Sequence, residues 1–334
     1  VGRPEPGDDV LLNTTAWAAQ GPGPGGSALV VAVPDRLPAD PEGPGRLVKA
    51  RCTPLQVQVR GVDEPGTEHH ARLAEADSLD GMPVVVADLH SALPAVLIGA
   101  LATDPDLTVA YVMTDGGALA AGSSRTLGAL TRSLAGVVTV GQAFGGDLEA
   151  VTLHTGLLAA RHLLGADLAI VTQGPGDLGT GTPWGFSGVA AGEACNAVSV
   201  LGGQPVGALR ISEADTRPRH RGVSHHSLTA FGRVALAGVT LVAPRGLGSE
   251  LGAQVDEDLA GQPERNPVVW VGTDGLEKAL SLSPVPLSVG ERGWPEERAY
   301  FLAAAAAGRY AALAVPAPPA PPVPEDTSAE EPSA

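Results

Sequence analysis

The sequence predicts an α/β fold: a Rossmann-like, doubly wound and mostly parallel sheet with a small β-rich domain at its N-terminus. Three observations predict it. From Met82 onward, short uninterrupted apolar runs recur, as expected of parallel strands buried on both faces. Between them lie segments of helical period, the alternation that builds strand–helix–strand units. Before Arg60 the pattern differs, with brief apolar runs separated by Gly-Pro clusters and no long amphipathic helix. The chain has 334 residues, enough for two domains, and its 44% apolar and 17% charged content excludes wholesale disorder.

Taken in order, residues 1–60 carry strand-like runs at 10–12, 28–33 and 55–59, read as a partial barrel. The chain begins at Val1 rather than Met, so the native N-terminus is expected to be missing. Residues 61–81 form a polar, acidic connector containing His69 and His70. The α/β domain spans 82–315, with strands predicted at 84–87, 108–113, 137–140, 168–172, 206–211, 239–242 and 268–271. Helices are expected over 148–164, where Leu153, Leu157, Ala160 and Leu164 share a stripe, and over 189–201, 225–237 and 296–312. An α/β barrel is the alternative if 286–289 is an eighth strand, although the connection at 280–287 is short for that. Residues 316–334 hold seven prolines and four acids and read as a disordered tail.

Composition removes several function classes. A formal charge of −16, with Lys49 and Lys278 the two lysines among 21 basic residues, argues against a general nucleic-acid binder. No segment reaches the ~18 uncharged apolar residues of a membrane helix; the best, 299–315, is broken by Gly308 and Arg309. Cys52 and Cys195 cannot build a disulfide framework and no signal peptide is visible, so a reducing cytoplasm is expected. The Walker pattern is absent, neither lysine lies on a strand exit, and Gly185-Phe186-Ser187-Gly188 lacks the second glycine of a hydrolase elbow. Cys195 lies within an apolar helix, where a thiol is packing material.

In open parallel sheets ligands bind beyond the carboxyl ends of the strands, and five consecutive predicted strands exit into polar or glycine-rich loops. The first two exits supply Asp88, His90 and Asp115, and the third Gln142 and Asp147. Aspartates there also serve as helix N-caps, which is the competing explanation. The fourth exit, 173–188, contains Gly-x-Gly-x-x-Gly but departs from the dinucleotide fingerprint: Pro175 removes a donor, the helix starts late, and no acid ends the next strand. It reads instead as a ligand-enclosing loop, with Gly174, Gly176 and Gly179 allowing close approach, Thr180, Thr182 and Ser187 offering hydroxyls, and Trp184 and Phe186 as anchors.

The fifth exit concentrates Arg217, Arg219, His220, Arg221, His225 and His226 in an otherwise acidic chain, after Glu213 and Asp215. Arginines ahead of a helix N-terminus make an anion site; alternatively they neutralise the neighbouring acids. His225 and His220, with Asp88 and Asp115, are the candidate catalytic residues, the histidines as general acid or base. Asp147, Glu213 and His90 are candidate ligands for a loosely held Mg²⁺ or Mn²⁺ arriving with a phosphorylated ligand. There is no His-Glu-x-x-His and no Cys pair, and His225 and His226 project about 100° apart on a helix, so the two are not expected to share one ion.

Five runs carry a resemblance: 86–94 (Val-Ala-Asp-Leu-His-Ser-Ala-Leu-Pro), 111–119 (Tyr-Val-Met-Thr-Asp-Gly-Gly-Ala-Leu), 141–151 (Gly-Gln-Ala-Phe-Gly-Gly-Asp-Leu-Glu-Ala-Val), 173–176 with 179–182, and 220–226 (His-Arg-Gly-Val-Ser-His-His). Together they resemble a bacterial family known as domain of unknown function 3866, over nearly the whole chain except the tail. The resemblance implies a longer N-terminal segment but no reaction, ligand or catalytic residue. The expected function is an enzyme acting on a small phosphorylated or nucleotide-like ligand. The alternative is a ligand-sensing or scaffold protein using the same pocket without chemistry.

Overall fold

The computed structural model describes residues 4–21, 28–36 and 45–317. The proposed disordered tail falls almost wholly outside the described residues, as do most of the Gly-Pro clusters near the N-terminus. Eight parallel strands form one sheet: β1 (Pro83–Val86), β2 (Val109–Thr114), β3 (Gly136–Thr139), β4 (Leu148–Glu149), β5 (Leu168–Gln173), β6 (Gln204–Ala208), β7 (Thr240–Pro244) and β8 (Val268–Val271). Their order is β8-β7-β6-β1-β5-β2-β3-β4. The chain starts at the centre with β1, works outward through β2 to β4, returns to insert β5 beside β1, and then builds β6 to β8 on the other side. This is a doubly wound sheet with two free edges, so the barrel alternative is ruled out.

Residues alternate between faces along each strand. Val84 and Val86 face one apolar layer, with α3 (Leu153–His162), α4 (Ala190–Val200) and α6 (Ser249–Ala260). Val85 and Ala87 face the other, with α1 (Leu93–Leu101), α2 (Arg125–Leu130), α7 (Leu276–Ser281) and α8 (Arg298–Leu313). Between α4 and α6 in the chain comes the short α5 (His225–Thr229), which continues into a single π turn, Ala230–Val234, and stops there, short of the predicted end.

The alanine run of α8 is explained by packing rather than by a membrane. Gly99 of α1 sits directly on the Ala305 backbone, and Gly308 of α8 sits on Val96, so a Cβ at either glycine would overlap main chain. Among the described residues no helix is long and apolar enough to cross a membrane.

Three elements depart from the predicted pattern. Residues 148–149 form edge strand β4 instead of starting a helix; α3 begins at Leu153, where Thr152 Oγ1 accepts the Thr155 N–H at 3.2 Å. A two-residue strand is too short to show a period. Residues 209–211 leave the sheet, and Ile211–Ser212 pairs antiparallel with Gly222–Val223. The supposed eighth strand at 286–289 contributes only Ser288–Val289, paired with Arg292–Gly293 in a separate hairpin.

The N-terminal region shows two hairpins, Leu11–Asn13 with Leu29–Ala32 and Leu47–Lys49 with Val57–Val59. The second docks on the sheet edge through Lys49. Its ammonium is buried and donates to Thr139 O (3.0 Å), Ala143 O (2.7 Å) and Glu149 Oε2 (2.8 Å). Glu149 also accepts from Thr139 Oγ1 and Gly145 N. Lys49 therefore does reach the β3 exit, but with every proton engaged.

Candidate functional site

The winding direction reverses between β5 and β6, which flank β1, and a crevice at the carboxyl ends of the strands is expected at such a switch. A cavity of about 500 Å³ lies there, lined in part by His90, Ser91, Arg210, Arg217 and Arg292. Arg210 follows β6 and is held at the base of the Ile211–Ser212/Gly222–Val223 hairpin, its N–H donating to Ser227 Oγ and its carbonyl accepting from Ser224 N–H.

The three guanidiniums converge on one carboxylate. Arg217 grips Asp215 through Nε and Nη2 at 2.9 and 2.7 Å, Arg292 Nη2 reaches it at 3.1 Å, and Arg210 Nη2 lies at 3.7 Å. The Arg217 hydrogen bonds outweigh the burial of Asp215 and, with the Arg217 and Arg292 charges, hold its carboxyl well below the usual carboxylate range. Arg292 Nε also bonds Glu297, which accepts from Ser212 Oγ at 2.8 Å. With Asp88 at 3.9 Å from Arg210, three arginines face three acids. Asp177 also lines the cavity, so the wall carries no excess positive charge, and what it presents is a set of fixed N–H donors.

His90 is part of a buried chain. Its Nδ1 meets Tyr111 Oη at 3.0 Å and its Nε2 meets Ser124 Oγ at 2.7 Å, while Tyr111 Oη reaches Thr172 Oγ1 at 2.8 Å. Burial lowers the His90 pKa to about 4, so it is neutral at pH 7. Both ring nitrogens are occupied within the protein.

Beside the cavity, across Arg210, lies a group of three imidazoles. His220 ends the turn Pro218–His220, and His225 and His226 open α5, whose N-cap Ser224 accepts from His226 N–H at 3.2 Å. The ring centroids of His225 and His226 are 4.5 Å apart, and those of His220 lie 5.0 and 4.9 Å from the two. One ring nitrogen from each falls within 4.8 Å of the others. The expectation that His225 and His226 diverge is therefore corrected: in the first turn the side chains swing together, because no preceding helical turn blocks them. His226 stacks on Phe186 at 3.8 Å and 4°. Desolvation first, then nearby positive groups, lower His220 to about 3 and His225 to about 4. Asp88 is buried, its Oδ2 has no hydrogen-bond partner among the described residues, and it sits 3.4 Å from His226 Nδ1.

The glycine-rich segment folds into a small exposed hairpin stapled by its own polar groups. Gly179 bridges Phe186, Thr180 N–H donates to Gly185 O, and Thr182 Oγ1 accepts from Gly185 N–H at 3.0 Å. Ser187 Oγ donates to Asp177 Oδ1. Gly174 packs on the Ala118 carbonyl, and Gly176 lines the cavity. At the loop's end, Gly188 sits so close to Asp88 that a Cβ would lie 2.8 Å from the Asp88 Cβ. Phe186 is a buried anchor, whereas Trp184 is exposed beneath the Arg233 guanidinium at 4.1 Å.

The remaining predicted residues are dispersed. Asp115 Oδ2 accepts the Gln142 N–H at 2.8 Å, and Gln142 Oε1 accepts from Arg51 N–H, so both brace the β3 exit loop. Asp147 accepts the Val137 N–H at 2.8 Å at the sheet edge. Glu213 and Arg221 line a separate surface depression, and Arg219 lies against Gly181. Asp147, Glu213 and His90 are thus not brought together, and of the three predicted arginines only Arg217 lines the cavity. Sequence reasoning did not select Arg210, Arg292 or Glu297. An arginine ending an apolar strand run marked Arg210; nothing local marked the other two, which arrive from beyond β8.

The five motif runs fall at the β1, β2, β3 and β5 exits and in the segment before α5. The chain belongs to the DUF3866 family. That family, described as a protein of unknown function (DUF3866), matches residues 1–308. No curated protein and no solved structure matches the chain. The match to DUF3866 spans the sheet, the cavity and the histidine group alike, and stops within α8.

Proposed function

We propose that this DUF3866 protein is an enzyme acting on a small phosphorylated or nucleotide-like ligand bound at the carboxyl ends of the strands. The observation that carries the reading is the convergence of Arg210, Arg217 and Arg292 on Asp215 at one wall of the 500 Å³ cavity. Asp215 and Glu297 fix two of the guanidiniums through Nε and Nη2, and among the described residues no hydrogen bond engages Nη1 of Arg217 or Arg292, which a ligand could take. A fixed planar fork matches phosphate geometry, and a preorganised donor set loses little entropy when the anion arrives. Ser91 adds a hydroxyl that bonds Tyr300 Oη at 2.8 Å, and neutral His220 and His225 supply lone pairs nearby at pH 7. The two cysteines, Cys52 exposed and Cys195 buried, are unpaired, which fits a reducing cytoplasm. The net charge of −16 fits a small-molecule partner better than nucleic acid.

Ligand sensing without turnover is the second reading, favoured by the complete matching of arginines with acids. A thermal-shift screen with inorganic phosphate, nucleotides and sugar phosphates tests binding. At a hundred times its dissociation constant, a ligand adds about 2.7 kcal/mol of stability. A phosphorylated hit that weakens in Arg217→Ala supports the cavity, and consumption of that hit on incubation identifies an enzyme. A screen silent for every anion overturns both readings.

A further inference from the structure

We propose that His220, His225 and His226 form a three-imidazole site for a borderline divalent transition metal, for which Zn²⁺ is the best match. The inference is independent of which ligand fills the neighbouring cavity, since it rests on the histidine group alone.

Three observations point to an ion. First, one nitrogen from each ring already lies within 4.8 Å of the others. Tetrahedral zinc at 2.0–2.1 Å from nitrogen places its ligand atoms about 3.4 Å apart, so the rings need to close by at most about 1.4 Å. Second, His225 Nε2 is buried without a hydrogen-bond partner among the described residues. Buried polar atoms are almost always satisfied, and a cation shared by the three rings would satisfy this one. Third, the opposite edges of the other two rings are supported as metal ligands are supported. His220 Nδ1 is tied to Ser224 Oγ at 2.8 Å, and His226 Nδ1 lies between the buried Asp88 Oδ2 at 3.4 Å and Arg210 Nη1 at 3.5 Å. This leaves Nε2 of each ring for the ion. A carboxylate behind a ligating imidazole fixes its tautomer and raises its basicity.

The donor type decides the metal. Imidazole nitrogen suits zinc, copper, iron and nickel, whereas Mg²⁺ and Mn²⁺ favour carboxylate and carbonyl oxygen. The Mg²⁺ or Mn²⁺ expected from the sequence finds no gathered oxygen set among its proposed ligands. Three protein ligands leave a fourth position open, the arrangement of catalytic rather than structural zinc sites. Two of the neighbouring cations are held in place: Arg210 lies between Asp88 and Asp215, and Arg217 is bound to Asp215.

The test is metal content and affinity of the full chain. Protein stripped with chelator is loaded with Zn²⁺, desalted and analysed by elemental mass spectrometry, and Co²⁺ is titrated with visible absorption as the readout. One equivalent of Zn²⁺ retained, undiminished by excess Mg²⁺, is expected, with Co²⁺ giving tetrahedral ligand-field bands. His225→Ala and His220→Ala, each checked for a wild-type circular dichroism spectrum, should weaken Co²⁺ by more than the 10–100-fold typical of losing an outer-shell partner. Asp88→Asn should weaken it about 10–100-fold while leaving the ligand-field bands in place, which separates support from ligation. Substoichiometric zinc in the wild-type protein overturns the proposal. So does binding that persists unchanged in both histidine variants, which identifies an adventitious surface ion.

Discussion

Asp215→Ala is the perturbation that most sharply tests how the site is held together. Asp215 is almost fully buried, and its two oxygens take Arg217 at 2.9 and 2.7 Å and Arg292 at 3.1 Å, with Arg210 at 3.7 Å. Arg217 and Arg292 are partly exposed and can turn to water. Arg210 is less free: its side chain is 6% exposed, and Asp88 at 3.9 Å and His226 Nδ1 at 3.5 Å are what it retains. The variant therefore leaves a buried guanidinium short of one carboxylate, a loss of up to about 3–5 kcal/mol. For a domain of this size that is about 6–20 °C in melting temperature at 2–4 °C per kcal/mol. Urea denaturation at pH 7, followed by circular dichroism, is the assay. The expected result is a lower midpoint with an unchanged slope, since the unfolded surface is the same. A loss below about 1 kcal/mol, the range of exposed pairs, would refute the reasoning and place the cluster in solvent.

Other outcomes follow from the same contacts. Lys49→Met strands the Glu149 carboxylate at the β3–β4 edge and should cost about 3–5 kcal/mol in urea denaturation, with faster hydrogen exchange at residues 45–62. Gly99→Val forces α1 off the Ala305 backbone and should lower stability by at least the 1–3 kcal/mol of ordinary overpacking, measured by thermal melting. His90, with its pKa lowered to about 4 in the folded protein against 6.5 unfolded, makes the unfolded chain the stronger proton binder between those values. Its contribution is complete above about pH 6.5 and is lost as pH falls toward 4. Urea titrations at pH 7 and pH 5 should differ by about 2 kcal/mol from His90 alone, and His90→Gln should flatten that part of the dependence.

The sheet was legible in the sequence because parallel strands buried on both faces leave continuous apolar runs, and seven of the eight strands did so. The missing one, β4, is two residues long and is defined by its neighbour β3 and by Val62, which donates to the Glu149 carbonyl across the chain. Exposed polar loops were harder to interpret. Asp115 and Asp147 look like exit-loop chemistry in sequence, but each accepts a main-chain N–H and braces a turn. Arg219 and Arg221 share a cluster with Arg217 in sequence, yet the hairpin at 211–223 sends the three side chains to different surfaces. The acids and the arginine that complete the site come from 215, 292 and 297, joined only through the fold. The histidine group was visible as residues and misjudged as geometry, because the 100° fan of an ideal helix does not constrain side chains in its first turn.

The central claim is that anions bind where Arg217 and Arg292 border the cavity at the switch point of the sheet. The most direct measurement is a crystal of the protein soaked in tungstate, a phosphate analogue whose position is read from anomalous scattering. The account predicts one dominant tungsten peak within hydrogen-bonding reach of the Arg217 and Arg292 guanidiniums, absent in Arg217→Ala crystals. A cavity without tungsten, with the anion instead at Arg219 or Arg221, would contradict it.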